Sequence, residues 1–139
     1  VVHGRTQAGL VLRQGEAVTL ISAVGAASLG GPAWWRAMID DACAEYPHTP
    51  CLDILDCADA PGLAMAALRM GQRYLVLWPD CPAFEPVRSA ASGIGAVVLA
   101  GRPWALDLAD RQAVRQLAEY LRPTIPVVAP DRDSAGPTR

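Results

Sequence analysis

Two aspartates stand where strand-like apolar runs end, each followed at once by a cysteine: Asp56-Cys57 and Asp80-Cys81. A carboxyl group shielded from water titrates closer to neutral pH and can then act as a general acid or base. Asp56 and Asp80 are therefore the catalytic candidates. A helix N-terminus acidifies a thiol placed against it, which makes Cys57 and Cys81 candidates for a reactive thiol; the plainer alternative is an inert, half-buried cysteine. Groups suited to holding a ligand recur nearby: Gly25, Ser28, Gly30 and Gly31 in one turn, then Trp34, Trp78, Arg102 and Trp104. Indole faces stack on flat or apolar molecules. Glycine amides and helix starts receive anions, and a guanidinium forks a carboxylate or phosphate. The competing reading is structural: tryptophans cap the end of a sheet, and aspartates cap helices.

Familiar motifs fail on particular residues. The turn 25–32 has half of a phosphate-binding loop, but Gly31-Pro32 stands where Lys-Ser or Lys-Thr is required. Asp56 sits near the position of a dinucleotide-binding acid, yet the glycine pattern before it does not match. Ser28 lies too far beyond the first strand for a nucleophile elbow, and His48 falls at the opposite edge. A C-x5-R phosphatase loop is disfavoured, because Leu63 and Val87 stand where arginine belongs. The cysteines form no C-x-x-C pair, and a zinc site built without histidine departs from ordinary ligand sets. The expectation is no metal and no cofactor. A receiver domain needs an acidic pair after its first strand and a lysine after its fifth, and the chain offers neither.

The elements that must position these residues alternate in type. Residues 17–23 (AVTLISA), 51–57 (CLDILDC), 74–78 (YLVLW) and 96–100 (AVVLA) read as buried strands, with 125–129 (IPVVA) as a short fifth at an edge because of Pro126. Helices are expected over 33–46, 62–70, 84–92 and 108–121, the last capped by Asp107 with Val114, Leu117 and Leu121 inward. Asp59 or Ala60 is expected at the cap of the second of these. Residues 6–13 fit either a short helix or an edge strand. Helix-sized gaps between strands imply parallel crossovers. The expected fold is a single-domain, open, mainly parallel α/β sheet of four to five strands, Rossmann-like and similar to flavodoxin-like, doubly wound, three-layer domains. Residues 1–130 form the domain and 131–139 a polar tail. In such sheets ligands bind beyond the carboxyl ends of the strands, where all four tryptophans are expected to gather.

Composition narrows the function classes. Apolar residues make up 52% and charged residues 19%, so a packed core is expected. Net charge is −2, with no basic block, which argues against a nucleic-acid partner. All 12 cationic side chains are arginine and asparagine is absent too, as in a GC-rich bacterial genome; lysine-amine chemistry is excluded within the chain. No run reaches the ~20 apolar residues of a membrane span. No signal pattern opens the sequence, so a cytoplasmic, reduced-thiol protein is expected.

Two functions fit. One is a domain binding a small anionic or aromatic metabolite at the carboxyl edge, with enzymatic activity left open. The other is a structural or interaction protein, a homo-oligomer joined through helix 62–70, which carries a single charge, Arg69.

Overall fold

The computed structural model describes residues 1–122; the expected strand 125–129 and the tail 131–139 lie outside them. Four strands, β1 (Val18–Ile21), β2 (Cys51–Asp56), β3 (Tyr74–Val76) and β4 (Val97–Leu99), form one all-parallel sheet. The helices are α1 (Arg5–Leu12), α2 (Ala26–Leu29), α3 (Gly31–Glu45), α4 (Pro61–Arg69), α5 (Phe84–Gly93) and α6 (Arg111–Tyr120). No helix among the described residues is long and apolar enough to cross a membrane.

The strands stand in the order β1-β2-β3-β4, as in the chain. A doubly wound sheet reverses direction partway; the described strands do not. Parallel crossovers are right-handed, so winding in one direction places α3, α4 and α5 on the same face. There α3 packs beside both α1 and α4, and α4 beside α5. The main core forms under them from Leu20, Leu55, Leu75 and Val98, with Trp35, Ile39, Ala64, Ala67 and Val87 above. The other face carries a smaller cluster of Ile21, Ile54 and Val76.

Local sequence explains most of the helices. Ala8, Val11 and Leu12 are buried at helical spacing, which makes residues 5–12 a helix rather than an edge strand. The apolar composition of α4 follows from its place between two neighbours, with Ala64, Ala67 and Leu68 buried. Ala60 occupies its cap position, but no side chain bonds there, so Asp59 is not a cap. The last helix begins three residues later than its pattern suggests. Its cap is Asp110, whose carboxylate accepts from Gln112 N at 2.8 Å. Asp107 instead closes the preceding turn on Ala109 N. In this register Ala113 and Leu117 face inward, four residues apart, while Val114 is exposed.

Candidate functional site

The turns beyond the carboxyl ends of the strands are tied by Asp56, which is 0% exposed. Gly25 has a left-handed backbone, φ 65°, that aims its N–H at Asp56 Oδ1, 2.9 Å away. Ala58, also left-handed at φ 48°, donates to the same oxygen at 2.9 Å. Arg102 Nη1 reaches Oδ2 at 2.6 Å, and Nη2 donates to Ser22 O at 2.9 Å. Ser22 Oγ accepts from Asp56 N at 2.9 Å, and Ala58 O accepts from Trp78 N at 2.7 Å. One carboxylate thus fastens the segments after β1, β2 and β4, with β3 joined through Ala58. Both its oxygens are engaged, so the geometry favours a structural pin over a base. Asp80 is exposed in the turn after β3 and takes no part in these bonds.

A second feature of this edge is open. A hollow of about 310 Å³ lies between the first residues of the chain and the start of α3. Trp34, 42% exposed, and the exposed Leu29 form its apolar wall. His3 and Ser22 also line it. The Trp34 ring lies directly over Gly30: a Cβ at residue 30 would come within 2.6 Å of the indole. No side chain caps α3, and Pro32 in its first turn has no N–H. Gly30, at the cap position of α3, lines the hollow, so the start of that helix borders it without a capping side chain.

His3 reaches this place because residues 1–3 run alongside β1. Val2 N donates to Ile21 O at 2.9 Å, and Leu108 N to Val1 O at 3.1 Å. His3 Nε2 lies 2.6 Å from Asp107 Oδ1. Burial alone would raise the Asp107 carboxyl, but the Ala109 N–H and His3 outweigh it and hold the group below its ordinary value. A histidine paired with a carboxylate is a competent proton carrier. Sequence reading missed it because a lone histidine at residue 3 gains meaning only from a partner 104 positions away.

The remaining expected residues scatter. Gly30 and Trp34 line the hollow; Gly25 and Arg102 belong to the Asp56 cluster. Ser28 is exposed on α2, and Gly31 makes a left-handed junction at φ 83° between α2 and α3. Trp78 is half-exposed at the end of β3. Trp35 is fully buried in the core, its Nε1 donating to Asp53 Oδ2 at 2.8 Å. Trp104 turns onto the opposite face of the sheet and packs against Tyr120, ring centroids 5.5 Å apart. The expected single rim of four tryptophans does not form. The chain after β4 crosses onto the second face of the sheet, where Ala105 packs against the cluster of Ile21, Ile54 and Val76, and it carries Trp104 along.

Cys81 is half-buried, and Cys57 is fully buried. Burial, and then the neighbouring Asp56, push the Cys57 thiol up to about 12, which argues against a reactive thiolate there. Its folded value lies above the unfolded one, so its stabilising contribution is complete below pH ~8.5 and lost as pH rises toward 12. The unfolding free energy is expected to hold level to about pH 8.5 and then fall, by roughly 2–4 kcal/mol from Cys57 alone, as chemical denaturation across this pH range would measure. Cys57→Ala should flatten that decline. No cluster of three or more metal-ligating side chains occurs among the described residues. No family model and no curated protein matches the chain.

Proposed function

We propose that this chain binds a small, flat molecule with an anionic or acceptor group in the hollow between His3 and Trp34. The observation that carries this reading is the half-exposed Trp34 indole, held over Gly30 at an uncapped helix start. Its volume, about 310 Å³, lies at the lower end of the range for small-molecule sites. The indole and Leu29 supply an apolar wall for a ring. The α3 start attracts negative charge, and His3 adds a polar atom whose ring is oriented by Asp107. Where proton transfer accompanies binding, His3 is the group in the hollow able to carry it. Asp56 is closed off by its three donors, and Asp80 stands apart.

The reading is tested by calorimetric titration with aromatic carboxylates and nucleoside monophosphates. A ligand found in this way should bind at least tenfold more weakly to Trp34→Ala and to His3→Ala, each with a melting temperature close to that of the parent. Gly30→Ala should weaken binding as well, because the added methyl displaces the Trp34 ring. Unchanged affinity in all three variants would put the ligand elsewhere and overturn the assignment.

A further inference from the structure

The four cysteines are free thiols, and the fold brings two of them together. Alternation along β2 turns Cys51, Asp53 and Leu55 toward α3, while Leu52 and Ile54 face away. α3 runs back along β2, as a parallel crossover requires. Near its start, Trp35 and Arg36 bond to Asp53 at 2.8 and 3.1 Å. About two helical turns later α3 reaches Cys43, just as β2, followed backward from Asp53, reaches Cys51. The connection between them is pinned. Tyr46 N donates to Cys43 O at 3.1 Å, and Thr49 N to Tyr46 O at 3.1 Å. Val18 N donates to Pro50 O at 2.9 Å, and Thr49 Oγ1 to Leu12 O at 3.0 Å. Both cysteines are half-buried and pack on the same main core. Their thiols lie within hydrogen-bonding reach of each other.

We propose that Cys43 and Cys51 form a redox site, closing by exchange with a low-molecular-weight disulfide into a bond that ties the end of α3 to the start of β2. One thiolate attacks a sulfur of the small disulfide, forms a mixed disulfide and expels the first small thiolate. The second protein thiol then attacks the mixed disulfide at the protein sulfur and expels the other. Two protein thiols are oxidised and one small disulfide is reduced to two thiols, with no other reactant. Burial, and then Cys43 itself, push the Cys51 thiol up to about 12. Cys51 is thereby the partner that keeps its proton, and Cys43 is the one that attacks first.

The pairing is selective because the other two cysteines lie at the far edge of the sheet. Cys57 follows Cys51 by six residues along and just past β2, about 20 Å at ~3.3 Å each, and Cys81 sits in the turn beyond β3. The Trp34 hollow is at the opposite end of α3, so this site stands apart from ligand binding.

The test equilibrates the full, folded chain with mixtures of oxidised and reduced glutathione. Cleavage after Glu45 and before Asp53 places Cys43, Cys51 and Cys57 on three different peptides, which mass spectrometry then reads. A Cys43–Cys51 linked peptide should exceed every other cross-link by about tenfold, with the far-ultraviolet circular dichroism of the reduced protein retained. Dithiothreitol should return all four thiols. Cys51→Ser should trap a glutathione adduct on Cys43, and Cys57→Ser should form the same linked peptide as the parent. No linked peptide at any glutathione ratio would overturn the proposal. So would links that mainly involve Cys57, Cys81 or a second chain, or a Cys43–Cys51 link that forms only with loss of the native spectrum.

Discussion

Arg102→Met is expected to cost about 3–5 kcal/mol of folding stability, the effect of leaving a buried charge without its partner. Asp56 is fully buried and, among the described residues, Arg102 is its one cationic neighbour at hydrogen-bond distance. The same guanidinium also holds Ser22 O, so methionine, of comparable reach, keeps packing but releases two bonds. Asp56→Ala should be similarly damaging, because it strands Arg102 and the amides of Gly25 and Ala58 together. For a domain of this size the loss corresponds to a fall of about 10–20 °C in melting temperature. Thermal denaturation measures it. A loss below about 1 kcal/mol for both variants would mean that Asp56 does not pin these turns.

The second large effect separates two adjacent tryptophans. Trp35→Ala should cost about 3–5 kcal/mol, as for other buried aromatic truncations. Its ring is completely buried, and its Nε1 helps satisfy Asp53. Gln72 donates to the same Asp53 oxygen at 2.8 Å, and Arg36 reaches the other at 3.1 Å, so α3, β2 and the turn before β3 are fastened at one point. Trp34→Ala, one residue earlier, should change stability by less than about 1 kcal/mol because its ring is half in solvent. Equal losses from the two substitutions would contradict the division between a core residue and a wall of the hollow. The contrast is measured by chemical denaturation of both variants side by side.

The alternation of strands and helices was legible because each element carries its own signal. Short β-branched runs separate amphipathic helical spacings, and Pro61 and Gly71 mark the limits of α4. Strand order was not legible. Nothing local in residues 17–100 distinguishes a sheet wound one way from one that reverses, because winding direction depends on which edge each strand joins. Parallel strands place Trp34, Trp78 and Trp104 beyond the carboxyl ends by position alone, whereas packing buries Trp35 in the core and turns Trp104 onto the far face of the sheet. The Asp56–Arg102 pair was half legible. Both residues were singled out for position and type, but 46 residues separate them, and only folding shows that they satisfy each other rather than a ligand. Nothing in the sequence around Gln72 signals its near-complete burial against Asp53, which emerges only from packing.

The account rests on Trp34, among the four indoles, being the one that meets a ligand. Nuclear magnetic resonance of the indole N–H groups, assigned through single Trp→Phe variants, reads this directly during titration with a binding aromatic carboxylate or nucleotide. The Trp34 resonance should shift first and furthest, while those of Trp78 and Trp104 stay in place. A shift confined to Trp78 or Trp104, with Trp34 unmoved, would contradict it.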